Sequence, residues 1–189
     1  MSDISKYEVR LVEVTNESDE LTDIERFKIF TRNNIKKYIE RLNISTQSDY
    51  DYLKKHKFIS WNWASFFLGV YWMAYRKMWK FVAIYLVYFV VIDMLLRDQR
   101  GLSSGINFVV NLLLGIYGNS LYFSYASKKI DAIKAMGLAK DDEISSLQKS
   151  GGTSIGSLLI FIFIALALAF ILVLLEHPRD HNILKFLFN

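Results

Sequence analysis

The sequence predicts an all-α integral membrane protein with three transmembrane helices, one aromatic-rich re-entrant or interfacial helical element, and a small cytosolic helical N-terminal region. Three observations carry that expectation. The 189 residues are 52% hydrophobic, and almost all of the apolar surplus lies between Trp61 and Leu175. Leu158 to Leu175 is an unbroken apolar run with no polar side-chain atom, close to the ~20 residues needed to cross ~30 Å of hydrocarbon. The Lys and Arg residues are distributed so that most of them fall on one side of a three-span topology. One Pro and nine Gly exclude collagen-like or low-complexity chains, and the absence of Cys excludes a disulfide scaffold, a thiolate metal site and a cysteine nucleophile.

Residues 1–57 form the cytosolic, mostly helical region. The stretch MSDISKYEVRLVEVTNESDE has mixed charge from its first turn, unlike a secretory signal. Residues 6–14 read equally as a lone strand or a helical turn. Thr22 followed by Glu25 has capping-box form, and Ile24, Phe27, Phe30, Ile35, Tyr38, Ile39 and Leu42 follow helical spacing, which predicts two short helices. A third is expected to be capped by Ser48 and to run to about Lys57.

Residues 58–80 form the aromatic element. Ile59 to Tyr75 is short, holds seven aromatic residues and has Gly69 near its middle, while all four Trp lie between 61 and 79. Such density belongs to the headgroup layer or to a re-entrant hairpin. The element ends in the basic break YRKMWK. Transmembrane helices are expected at 81–97 and 106–126, the latter continuing through helix formers to about 136, with Gly137 as C-terminal cap. A loop and short helix beginning at Asp141 or Asp142 occupy 137–153, a third span 154–176, and an interfacial tail 177–189.

The positive-inside rule decides between two topologies. If Ile59 to Tyr75 returns to its own side, nineteen of the 23 basic residues share the N-terminal side and only Arg97, Arg100, Arg179 and Lys185 lie opposite. Full crossing gives fifteen against eight and strands the basic 128–149 loop outside. The expectation is therefore a cytosolic N-terminus in a multi-pass protein of the bacterial inner membrane.

Trp61, Trp63, Trp72, Arg76, Lys77 and Trp79 form a candidate lipid or interface anchor, because cations between aromatic rings suit anionic headgroups. Asp93 lies within the second apolar run, four residues before Arg97, and reads as an ion pair or a proton-handling acid. Asn107, Asn111, Gly115 and Asn119 recur every four residues along one face of the following span, either as packing contacts or as a polar path. His177 and His181 are spaced as metal ligands, but Pro178 and the absence of a second cluster argue for an interfacial tail. No GxxxxGK, HExxH or GxSxG motif occurs. No catalytic residue, metal or cofactor is therefore assigned, and no basic stripe on a soluble face supports nucleic-acid binding.

The segment SWNWASFFLGVYWMAYRKMWK (Ser60 to Lys80) resembles the hallmark of a bacterial family of small membrane proteins catalogued as domain of unknown function 2628. NNIKKYIERLN before it, GNSLYFSYASKKI (Gly118 to Ile130) and GGTS (Gly151 to Ser154) resemble further blocks of that family, together covering most of residues 33–175. The chain departs from the pattern at Val70-Tyr71, where a proline is expected, and at Tyr125, where a histidine is common. The resemblance implies a bacterial membrane protein and no established reaction.

With about 85 cytosolic residues of balanced charge and no catalytic set, the sequence points to a non-enzymatic accessory or regulatory protein presenting a helical platform to protein partners or to further copies of itself. The alternative is a small oligomeric channel or transporter subunit with the asparagines of the 106–126 span lining its path.

Overall fold

The computed structural model describes residues 20–32, 35–44 and 46–176, all helix and connecting turns with no strand among them. The strand-or-turn question at 6–14, the tail at 177–189 and both candidate histidines in that tail lie outside the described residues. Eight helices are present among those described: α1 (Asp23–Thr31), α2 (Ile35–Leu42), α3 (Gln47–Lys55), α4 (Trp63–Tyr75), α5 (Trp79–Leu95), α6 (Arg100–Lys134), α7 (Lys140–Ser150) and α8 (Ile155–Glu176). The chain divides into two compact units, residues 1–153 and 154–189.

Local chemistry sets the short helices of the first unit. Thr22 caps α1 through a reciprocal box in which its backbone N–H donates to Glu25 Oε2 at 2.7 Å and its hydroxyl accepts from the Glu25 N–H at 3.3 Å. The α3 cap is Thr46 rather than Ser48, because Asp49 sits three residues after Thr46 and closes the same reciprocal pair. Asn43 (φ 50°) ends α2, with the Ile44 N–H returning to the Ile39 carbonyl at 3.2 Å. Gly137 (φ 60°) follows α6 in the same left-handed conformation.

The core of the first unit is aromatic. Phe27, from α1, is fully buried against Tyr38, Tyr50 and Phe123 at ring-centroid distances of 6.3, 5.7 and 5.2 Å. Burying one such ring contributes about 1.5–3 kcal/mol. Tyr122, Phe123, Ala126, Ile130 and Ile133 on the C-terminal part of α6 complete this core with Ile44, Met78 and Leu147. Arg26 crosses it to α7: its Nε donates to Glu143 Oε1 at 2.6 Å, and the guanidinium also engages Asp23 and the Leu21 carbonyl. Gly151 is required after α7 because a methyl there would collide with the Phe30 carbonyl, the acceptor of the Gly152 N–H at 2.7 Å.

Helix α4 packs on both α5 and α6. It is broken at Gly69, whose φ of 47° and ψ of −117° are open to glycine and strained for any other residue. Close approach to α6 depends on small residues there. A Cβ on Gly118 would lie 2.7 Å from the Ser65 Cβ, and one on Gly115 3.0 Å from the Phe66 Cβ.

The 35-residue α6 starts at Arg100, six residues before the expected span, and is about 52 Å long. Its character changes along that length. Leu102, Phe108, Val109, Leu113 and Tyr117 are exposed, whereas buried residues dominate from Gly118 to Ile133. On α5, Ile84, Val87, Phe89, Val91 and Met94 are exposed in the same way. In the second unit, Ser154 Oγ accepts from the Ser157 N–H at 3.1 Å, and α8 exposes Leu159, Ile160, Phe163, Leu166 and Phe170. Two helical stretches, α6 and the one containing α8, are long and apolar enough to cross a membrane. At 17 residues, α5 is shorter, about 25 Å.

Candidate functional site

The turn joining α4 to α5 is built from Arg76, Lys77 and Met78. Lys77 (φ 60°) takes the left-handed position usually held by glycine, with its N–H on the Ala74 carbonyl at 3.0 Å and the Met78 N–H on the Met73 carbonyl at 2.9 Å. Two side chains hold this turn in place. Lys77 Nζ donates to the carbonyls of Lys149 and Gly151 at 2.9 and 2.8 Å, satisfying acceptors at and just beyond the end of α7. The Tyr125 hydroxyl donates to the Lys77 carbonyl at 2.9 Å. Burial, and then the nearby charge of Arg32, push the Lys77 ammonium below its ordinary value.

The candidate anchor group therefore divides. Trp72 is only 4% exposed and meets the Tyr122 ring edge-on at 6.3 Å, and Arg76 is 8% exposed, so both are held in the core and not displayed on an outer face as the anchor reading expects. The correction has a physical origin: rings alternating with cations satisfy an interface and a cation-π core equally well. Trp61 is half-buried against Trp63 and Phe66, and Lys77 is committed to carbonyls. Trp63 and Trp79 remain exposed, as does Lys80.

The guanidinium of Arg76 lies against two rings, 5.2 Å from the Tyr38 centroid and 4.8 Å from that of Tyr122, and those rings stack on each other at 4.9 Å. Burial raises the Tyr38 phenol above its ordinary value, while the positive charges of Arg76 and Arg41 oppose the rise. Arg76 Nε and Nη1 and the Tyr122 hydroxyl are buried without a hydrogen-bond partner. Sequence spacing could not have found this cluster, because Tyr38, Arg76 and Tyr122 come from three distant segments.

The asparagines have separate roles. Asn119, 1% exposed, accepts from Asn62 Nδ2 at 2.9 Å and donates to Ser60 Oγ at 3.0 Å, tying the strand-like approach to α4 onto α6. The Ser60 and Asn62 N–H groups also reach the α6 carbonyls of Ile116 and Gly115. Asn107 Oδ1 accepts from the Tyr88 hydroxyl at 2.9 Å, joining α6 to α5. Asn111 Oδ1 faces the break in α4, 3.0 Å from where a Cβ on Gly69 would sit. Asp93 is exposed near the end of α5. Among the described residues no group of three or more His, Asp or Glu side chains is placed to hold a metal.

The sequence profile of one family, described as protein of unknown function (DUF2628), matches residues 13–128. The chain belongs to that family. The matched region takes in α1 to α5 and α6 as far as Lys128, and so contains Tyr38, Arg76, Tyr122 and Asn119. The GGTS block and α8 fall outside it. No curated protein and no solved structure matches the chain.

Proposed function

We propose that this DUF2628 protein is a non-enzymatic accessory or regulatory component of a bacterial inner membrane, with its N-terminus in the cytosol, and that it presents a helical platform to a protein partner. The platform comprises α1 to α3, the C-terminal part of α6, and α7. The observation that carries this reading is the two-part character of α6. One continuous helix bears exposed apolar side chains over its first half and the core of a folded helical domain over its last third. At about 52 Å, against ~30 Å of hydrocarbon, it is long enough to cross a bilayer and hold that domain beyond it.

The topology proposed is three spans, α5, the first part of α6, and α8, with α4 as a non-crossing element. Helix α4 has 13 residues, about 20 Å, and is broken at Gly69, so it is too short to span. Helix α5 is at the lower end of spanning length, and slight bilayer thinning accommodates it. The rival channel reading needs free amides along α6. Engagement of Asn119 with Ser60 and Asn62, and of Asn107 with Tyr88, supports packing instead.

The test is the mass and protein content of the full chain extracted in native nanodiscs. The expected result is a second protein at fixed stoichiometry, whose retention falls when the exposed platform side chains Tyr52 and Met136 are replaced by Glu. A closed assembly of this chain alone that conducts ions in liposomes would overturn the reading in favour of a pore.

A further inference from the structure

We propose that Arg76, Tyr122 and Tyr38 form an inward-facing binding site for a phosphate-type oxyanion, supplied either by a lipid headgroup or by free phosphate. A guanidinium carries five N–H donors and stays protonated at any physiological pH. Here the donors of Nε and Nη1 are buried and unpartnered. No described carboxylate pairs with Arg76, and the other charge acting on the adjoining Tyr38 ring, that of Arg41, has the same sign. A buried cation without a counter-charge is among the costlier arrangements in a protein. The two aromatic faces offset part of that cost but accept no N–H in the plane of the fork.

The third unpartnered group selects the class of occupant. The Tyr122 hydroxyl lies beside the guanidinium, which has donors only, so any contact between them uses the phenol oxygen as acceptor and leaves its proton free to be donated. A ligand that accepts from both a guanidinium and a phenol and brings negative charge is an oxyanion. Arg76 contrasts with the other buried arginine, Arg26, whose donors meet Glu143, Asp23 and the Leu21 carbonyl. The position favours phosphate over carboxylate. Arg76 ends α4 one turn before Trp79 and Lys80, which are exposed at the start of the apolar α5, the place where a headgroup layer would meet the platform. The anion site stands whether or not the platform binds a protein.

The experiment follows thermal unfolding of the full chain. One arm titrates inorganic phosphate against acetate and chloride at matched ionic strength in a neutral detergent. The other compares nanodiscs of phosphatidylcholine alone with nanodiscs containing phosphatidylglycerol. The expected result is a saturable rise in melting temperature with phosphate, with phosphatidylglycerol, or with both; acetate and chloride give none, and the responding arm identifies the source. Tyr122→Phe keeps the ring stack and removes only the hydroxyl, so it should raise the half-effective concentration about 5–10-fold. Arg76→Gln should abolish the response, and Tyr122→Phe keeps the test decisive if that variant fails to fold. Three results would each overturn the assignment: no response of the wild-type chain in either arm, an equal response to acetate, or a wild-type response from Tyr122→Phe.

Discussion

Asn119→Leu separates packing from conduction, because the two roles predict losses in different observables. Asn119 accepts from Asn62 Nδ2 at 2.9 Å and donates to Ser60 Oγ at 3.0 Å, and Asn62 is itself only 4% exposed. Leucine leaves the Asn62 amide without its acceptor, at about 1–3 kcal/mol for a buried polar group. It also forces a branched side chain into the contact between α6 and the approach to α4, adding about 1 kcal/mol or more. The sum, about 2–4 kcal/mol, exceeds the ~0.6 kcal/mol typical of a polar contact between helices in lipid. Asn107→Leu, which removes only the acceptor of the half-buried Tyr88 hydroxyl, should fall near that smaller value. Denaturant titration in mild detergent, followed by near-ultraviolet circular dichroism of the aromatic core, measures both. If Asn119→Leu left stability and assembly unchanged while abolishing ion or solute flux in liposomes, the packing role would be refuted and the channel reading restored.

Three further outcomes are expected. Arg26→Met should cost about 3–5 kcal/mol by leaving the Glu143 carboxylate unpaired, and Glu143→Gln less, because Asp23 remains 3.2 Å from the guanidinium; joint replacement by apolar residues should cost less than the sum of the two, as a double-mutant cycle on unfolding free energies will read. The Tyr50 phenol is pushed up to about 12, chiefly by burial, with its hydrogen bond to Ser127 opposing the rise. The folded chain therefore holds that proton more tightly than the unfolded one. The stability it confers, about 2–3 kcal/mol, is present below pH 10 and is lost as pH rises to 12; Tyr50→Phe should flatten that part of the alkaline stability profile. In this cysteine-free chain, single cysteines at the exposed Asp98 and Lys128 flank the proposed span of α6, and an impermeant maleimide should reach them from opposite sides. Labelling of both from one side would remove the crossing.

Family membership was legible in the hallmark and blocks between residues 33 and 130, and the helical class in the 3.6-residue spacing of the soluble segment and the long apolar runs. Capping was legible where a reciprocal pair exists: Thr22 with Glu25 stands out in sequence, and Thr46 with Asp49 obeys the same rule although Ser48 competes beside it. Gly69 marked a break because only glycine adopts its backbone conformation without strain.

What the sequence alone determined is what depends on neighbours within a turn or two: helix type, caps, breaks and apolar length. Tertiary structure decided which of the tryptophans and cations face outward. Trp72 and Arg76 look like surface anchors until Tyr38 and Tyr122, 38 residues before and 46 after Arg76, close around the guanidinium. It also decided that Asn119 is a joint between α6 and the approach to α4, since its partners lie almost sixty residues earlier. A periodic stripe of amides specifies a helix face, but the hydrogen bonds that occupy that face are fixed only when distant segments pack against it.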